Sequence, residues 1–145
     1  MNDSMKAAIK SLLVIDDDDV DTCQVEKVIK ASGMVEHIYA FRNGEEALDC
    51  FTHLEESKMK FKEYFPPQVV LLDINMPRMN GFEFLEGYSK LSDFRKSNLI
   101  VVMLTSSDQE KDRAQAAKHE HVKDYFIKPF NKEHLEKILE WHSQG

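Results

Sequence analysis

Short apolar runs recur along the chain at intervals suited to an alternating α/β fold. Each run is rich in branched aliphatic or aromatic residues and is not interrupted by alternate polar positions. The runs are too short for helices, and their pattern is typical of strands buried on both faces of a parallel sheet. A weaker fifth candidate covers residues 38–41. The four clearer runs cover residues 12–15, 69–72, 99–104 and 125–127.

Helical periodicity fills the intervals between these runs. Within residues 20–32, Val25 and Ile29 are spaced to share one helix face. The spacing of apolar residues predicts a second helix after Gly44 and a third just past Gly81. We interpret Gly81 itself as a turn glycine.

Two capping signals predict where the last two helices begin. Residues 107–110 read Ser-Asp-Gln-Glu, the Ser-x-x-Glu form of a capping box, which predicts a fourth helix starting there. Asn131 is an N-cap residue type ahead of Leu135, Ile138 and Leu139, which predicts a fifth. Regular alternation of strand and helix indicates a parallel sheet with helices on both faces. The carboxyl ends of such strands share one edge, where ligands bind.

Length and charge narrow the class of protein. With 145 residues, the chain predicts one domain, which we place at residues 11–145 after an N-terminal extension at 1–10. The net charge of −7 argues against nucleic acid as a partner, because clustered Lys and Arg bind phosphate backbones. Cys23 and Cys50 form no metal motif or disulfide framework. No apolar run is long enough for a membrane span or a signal-peptide core, so we expect a cytoplasmic protein.

Polar side chains directly follow the apolar runs. Asp16 and Asp17 follow the first, Asp73 the second, Thr105 the third and Lys128 the fourth. Because the carboxyl ends of the strands share an edge, these groups should converge. Close carboxylates repel one another unless a cation neutralises them, and Mg²⁺ prefers oxygen ligands. A carboxylate can also become an aspartyl phosphate, so the cluster predicts Mg²⁺-assisted phosphoryl chemistry.

Four segments, in this order, resemble the receiver domain of two-component response regulators, and the resemblance spans about residues 10–142. It implies a flavodoxin-like, doubly wound α/β fold with five parallel strands in the order 2-1-3-4-5 and five helices. The segments are Leu-Leu-Val-Ile-Asp-Asp at 12–17, Val-Leu-Leu-Asp-Ile-Asn-Met-Pro-Arg-Met-Asn-Gly at 70–81, Met-Leu-Thr-Ser-Ser at 103–107 and Asp-Tyr-Phe-Ile-Lys-Pro-Phe at 124–130.

The resemblance implies catalytic and switching roles. Asp73 resembles the phosphoacceptor, and Lys128 and Thr105 resemble the residues that assist it. Thr105 and Tyr125 resemble the switch pair that reorients after phosphorylation. The peptide bond between Lys128 and Pro129 would be cis, as in the family.

The resemblance also implies a Mg²⁺ site. Its ligands would be Asp17, Asp73 and the backbone carbonyl of Asn75, with Asp16 acting partly through water. Asp18 and Asp19, which follow directly, are interpreted instead as solvated residues that cap the next helix.

The implied partners are proteins. A histidine kinase would donate the phosphoryl group. No output domain follows Gly145 in this sequence, so we expect a stand-alone receiver that acts on an unknown downstream protein or on a histidine phosphotransfer protein. Many receivers pair through the region of the last helix, so a homodimer is one expected arrangement. The resemblance implies a protein that catalyses only its own phosphorylation and dephosphorylation.

Two features depart from the family pattern, and two other functions remain open. Residues 118–120 read Lys-His-Glu where receivers usually carry a Gly-Ala pair. Residues 57–67 form a longer loop than in the minimal chemotaxis-type receiver, similar to small receivers that partner bacterial phytochromes.

A Mg²⁺-dependent phosphohydrolase is one alternative, but Asn75 stands where such enzymes usually carry a second carboxylate. An interaction module that works without phosphorylation is the other.

Overall fold

A computed structural model describes residues 8–91 and 99–144 of the chain. Within them, five strands form one sheet in the order β2-β1-β3-β4-β5, and every pair is parallel. This order confirms the expectation from the resemblance. The strands are β1 (Ile9–Ile15), β2 (Val35–Phe41), β3 (Val69–Leu72), β4 (Ile100–Thr105) and β5 (Val122–Ile127).

The described residues contain six α-helices rather than the five expected. The additional helix comes from the segment before β3 that the sequence left irregular, and a short 3-10 turn at Lys62–Tyr64 follows it. None of the helices in these two ranges has the length and apolar character needed to cross a membrane. The helices are α1 (Asp19–Ser32), α2 (Gly44–Thr52), α3 (Leu54–Phe61), α4 (Gly81–Ser89), α5 (Glu110–Ala117) and α6 (Lys132–Gln144).

The core lies on both faces of the sheet. In β1, Leu13 and Ile15 belong to the cluster on one face, whereas Leu12 and Val14 belong to the cluster on the other. All four side chains are buried, which explains why the run does not alternate with polar residues. The first cluster includes residues of α2 and α4, and the second includes residues of α1 and α6.

The beginning of α5 differs from the prediction. The helix starts at Glu110, and its N-cap residue, Gln109, makes no side-chain capping bond. The Ser107 hydroxyl, which was expected to cap the helix, instead donates a 2.5 Å hydrogen bond to the carboxylate of Asp112. The predicted capping box at 107–110 is therefore wrong, because the N-cap position falls at Gln109, two residues beyond Ser107.

Helix α5 is docked by very little apolar surface. Ala116 is its one buried residue, whereas Ala114 and Ala117 are exposed. Hydrophobic stabilisation is roughly proportional to the apolar area buried, so a single alanine holds the helix weakly.

Helix α4 begins with a capping box that was not predicted from the sequence. The Asn80 side chain accepts from the Glu83 amide, and the Glu83 carboxylate accepts from the Asn80 amide, both at 2.9 Å. We expect Asn80→Ala to lower the free energy of unfolding by about 1 kcal/mol, the usual cost of losing such a cap. Urea denaturation measures this change. Gln109→Ala is the matched control because its side chain caps nothing, and equal losses in both variants would contradict the prediction.

Candidate functional site

The hydrogen-bond ladder of the sheet extends one residue past three of the strands, to the first residue of the site. The amide of Asp16 donates to the last carbonyl of β2 at 3.1 Å. In the same way, the amide of Asp73 donates to the last carbonyl of β1 at 3.0 Å, and that of Lys128 to the last carbonyl of β4 at 2.8 Å. Each of these residues is the first beyond its strand. The sheet ladder therefore fixes the point from which each functional side chain projects.

Three carboxylates meet at this edge. Asp16, Asp17 and Asp73 each offer an oxygen atom, and these atoms lie within 4.8 Å of one another. Asp16 and Asp73 are buried, with exposed fractions of 4% and 6%. Asn75 is exposed and lines the same pocket. The use of its backbone carbonyl as a ligand stays a prediction.

Lys128 supplies the positive charge of the site. Its Nζ atom lies 2.8 Å from Asp16 Oδ2 and 3.4 Å from Asp73 Oδ2. It also lies 2.7 Å from Oδ2 of Asp21, a residue of the first turn of α1. The following peptide bond, to Pro129, is cis, as the resemblance implied.

Burial shapes the proton equilibria of the cluster. It raises the pKa of Asp73 to about 6, although the nearby Lys128 charge acts in the opposite direction. Burial likewise raises the pKa of Asp16. For Lys128, burial lowers the pKa, but hydrogen bonds to Asp16 and Asp21 outweigh it and the net shift is upward. The Lys128 ammonium therefore stays charged. Its single positive charge does not offset the effect of burial on the pKa values of Asp16 and Asp73.

The donor set fits a hard divalent cation. Carboxylate oxygens are the ligands that Mg²⁺ prefers, and a cation here would relieve the repulsion that raises the carboxylate pKa values. The pocket around these residues has a volume of about 440 Å³. That volume leaves room for bound water and for a phosphoryl group beside Asp73.

The two expected switch residues lie away from the pocket. Thr105 is fully buried, and its Oγ1 accepts a 3.2 Å hydrogen bond from the Ser107 amide. The Tyr125 hydroxyl donates to the Ser107 carbonyl at 2.8 Å, and the guanidinium of Arg113 lies 4.8 Å from the centre of its ring. Ser107 thus links both side chains, while neighbouring Ser106 lines the pocket itself.

Gly81 is a close-approach glycine rather than a turn glycine. It is the first residue of α4, and a Cβ atom placed on it would lie 2.3 Å from the backbone carbonyl oxygen of Asp73. Its amide donates to the Ile74 carbonyl at 2.8 Å. The amide of Ile74 in turn donates to Asp73 Oδ1 at 2.8 Å. The N-terminal end of α4 therefore packs directly on the backbone that orients the Asp73 carboxylate.

The acidic residues that follow Asp17 make different contacts. As expected, Asp18 caps α1, since its side chain accepts from the amides of Val20 and Asp21. Asp19 lies 3.3 Å from Arg42 on the surface. Asp21, which the sequence analysis overlooked, reaches Lys128. Its place near the site could have been predicted from the sequence, because the first turn of a helix that follows a parallel strand lies at the carboxyl edge of the sheet.

The fold and the site together define a flavodoxin-like α/β domain with an acidic pocket at the carboxyl edge of its sheet. The family model described as the response regulator receiver domain matches residues 12–140. The chain belongs to this family, as its sequence segments indicated.

Known relatives agree with this assignment. A two-component response regulator from Cytophaga hutchinsonii has a similar structure, with a TM-score of 0.81 at 27% identity over 94% of this chain and 98% of that one. Response regulator Rcp1 from Synechocystis is 28% identical over 90% of this chain and 84% of its own length. A structure of the Mn²⁺-bound form of Rcp1 matches with a TM-score of 0.65, at 28% identity over 91% of this chain and 90% of that one. The bacteriophytochrome response regulator AtBRR matches with a TM-score of 0.73, at 26% identity over 91% of each chain.

Proposed function

We propose that this receiver accepts a phosphoryl group from a histidine kinase onto Asp73 and signals through a protein contact that depends on phosphorylation. One observation carries the proposal: Asp73 is buried beside Asp16 and Asp17, and its Oδ2 atom lies 3.4 Å from the ammonium of Lys128 at an open pocket. Receivers of this family generally bind Mg²⁺ in such a pocket, and the Mn²⁺-bound form of Rcp1 supports a divalent cation here.

The proposed reaction is a simple transfer. A carboxylate oxygen of Asp73 attacks the phosphorus of a phosphohistidine, an oxygen–phosphorus bond forms, and the phosphorus–nitrogen bond breaks with its electron pair passing to the imidazole. Lys128 pairs with one phosphoryl oxygen as a point charge. Asp16, Asp17, Asp73 and the Asn75 carbonyl would hold Mg²⁺, which would neutralise further charge on the transferring oxygens. The product is an aspartyl phosphate.

The signal would pass from the phosphoryl group to the surface formed by α5, β5 and α6. Thr105 turns toward the new phosphoryl oxygens and gives up its contact with the Ser107 amide. Tyr125, bonded to the Ser107 carbonyl, then loses the geometry that holds it. Because Ala116 is the one buried residue of α5, a small change in this loop suffices to shift the helix. A downstream protein or a histidine phosphotransfer protein would read that surface.

The alternatives fit less well. Asn75 at the pocket cannot serve as the acid and base that a phosphohydrolase needs, because a side-chain amide does not ionise at neutral pH. We therefore propose a regulator that catalyses only its own phosphorylation and dephosphorylation. A homodimer and a cytoplasmic location stay predictions.

Phosphorylation by a small donor tests the proposal. Incubating the protein with acetyl phosphate and Mg²⁺ is expected to add the mass of one phosphoryl group, measured on the intact protein. Chelation of the metal with EDTA is expected to suppress the gain, because the transferring charge is then poorly neutralised. No gain with Mg²⁺, or an equal gain with EDTA, would contradict the proposal. Rapid turnover of many small phosphoesters would favour a hydrolase instead.

A further inference from the structure

Lys128 has a carboxylate partner outside the three-carboxylate cluster. Its shortest contact is the 2.7 Å bond to Asp21, compared with 2.8 Å to Asp16 and 3.4 Å to Asp73. Asp21 belongs to α1, 107 positions away in the sequence, and its side chain is 35% exposed. The contact therefore depends on how α1 docks beside the strand ends.

The position of this ammonium matters for a bound cation. Lys128 and a divalent cation would draw on the same negative charge, since Asp16 and Asp73 contact the lysine and belong to the cluster as well. Any positive charge placed on those two carboxylates weakens their attraction for a second cation. A further carboxylate that holds the ammonium to one side leaves more of the negative charge of Asp16 and Asp73 available to the metal ion.

We propose that Asp21 is a positioning residue that holds Lys128 to the side of the metal carboxylates and thereby strengthens Mg²⁺ binding. This inference rests on the metal site in the proposed function. Asp21 acts through the lysine rather than as a ligand. Without it, the ammonium settles on Asp16 and Asp73, and Mg²⁺ must displace it.

The first test compares two acidic residues in the same turn of α1. Asp21→Asn is expected to raise the dissociation constant for Mg²⁺ about tenfold, as is usual for partners that orient a metal site. Asp19→Asn is the matched control, because Asp19 also lines the pocket but pairs with Arg42 on the surface. Removing its charge is expected to change the constant by less than about twofold. Isothermal titration calorimetry with MgCl₂ measures both.

A double-mutant cycle distinguishes an effect of Asp21 that acts through Lys128 from a direct effect of its negative charge on Mg²⁺ binding. Lys128→Met alone is expected to tighten Mg²⁺ binding, since the competing ammonium is gone. In that background, the effect of Asp21→Asn is expected to shrink to the size of the Asp19→Asn effect. Near-ultraviolet circular dichroism without Mg²⁺ confirms that each variant is folded.

The outcomes distinguish this inference from the proposed function. Equal effects of Asp21→Asn and Asp19→Asn would overturn the inference, as would an Asp21→Asn effect that persists in full beside Lys128→Met. In either case, Mg²⁺ binding and phosphorylation of the unaltered protein would leave the proposed function standing. If the unaltered protein binds no Mg²⁺, both fail.

Discussion

Asp73→Asn is expected to abolish phosphorylation and, at the same time, to stabilise the metal-free protein. The first effect follows because an amide cannot act as the attacking carboxylate. The second follows because burial raises the pKa of Asp73 to about 6, so keeping it ionised at neutral pH costs folding free energy. Lys128 keeps its contacts to Asp16 and Asp21 in the variant, so no buried charge is left without a partner.

The pH dependence of this stabilisation has a definite sign. The pKa of Asp73 is raised from 3.8 in the unfolded chain to about 6 in the folded protein, so between these values the folded state binds more protons. Its free energy of unfolding therefore falls as pH rises through this interval. The total loss is on the order of 3 kcal/mol, since each pKa unit corresponds to about 1.4 kcal/mol. The advantage of Asp73→Asn should grow accordingly from pH 4 to about pH 6.

Urea denaturation in EDTA at several pH values, together with intact mass after acetyl phosphate treatment, measures both effects. Asp19→Asn is the control, because it removes one exposed charge near the pocket. Added Mg²⁺ should narrow the difference between Asp73→Asn and the unaltered protein, because it binds the complete cluster more tightly. A phosphoryl gain equal to that of the unaltered protein would exclude Asp73 as the acceptor. A stability difference that does not vary with pH would exclude the burial argument.

The second large effect is expected at Gly81. A Cβ atom there would lie 2.3 Å from the backbone carbonyl oxygen of Asp73 and 3.1 Å from the Cα atom of Ile74. Backbone atoms cannot rotate aside, so either α4 or the loop after β3 must move. We expect Gly81→Ala to lower the free energy of unfolding by about 3 kcal/mol or more, at the upper end of overpacking effects. Mg²⁺ affinity should fall as well, because the displaced backbone carries Asp73.

Gly87→Ala is the matched control in the same helix. Its Cβ atom would lie 2.5 Å from Leu48 Cδ2, the end of a flexible side chain that can turn away. Alanine also favours the helix over glycine by about 1 kcal/mol, which offsets the repacking. We expect a net change within about 1 kcal/mol for this variant. Similar denaturation midpoints for the two alanine variants would show that the contact with the Asp73 carbonyl does not constrain α4.

The sequence predicts the interior of the sheet better than its edge. Strands β1, β3 and β4 lie inside the sheet, and their residues 12–15, 69–72 and 101–104 form buried apolar runs. Strand β2 lies at one edge, and its polar residues Glu36 and His37 concealed its first half. Strand β5 lies at the other edge and begins at Val122, before Lys123 and Asp124 break the apolar pattern. It stays paired with β4 there, with a register shift between Val101 and Val102.

The same difference applies to the site. The convergence of Asp16, Asp73 and Lys128 could be predicted, because it depends only on which residue follows each strand. The contact of Asp21 with the lysine depends on the rotation of α1 against the sheet. The close approach of Gly81 depends on how α4 docks. Helix docking is decided by packing among distant side chains, which local sequence patterns do not record.

The backbone bonds that extend the sheet ladder into the site have a consequence for behaviour on heating. Asp73 and Lys128 share hydrogen bonds with β1 and β4, which lie inside the sheet, so we expect them to lose their positions only when the whole domain unfolds. Helix α5, anchored by Ala116, belongs to the least stable part of the hierarchy. On warming, α5 is therefore expected to open before the carboxylate cluster is lost. A domain phosphorylated on Asp73, as proposed, would then keep its phosphoryl group while losing the surface proposed for its partners.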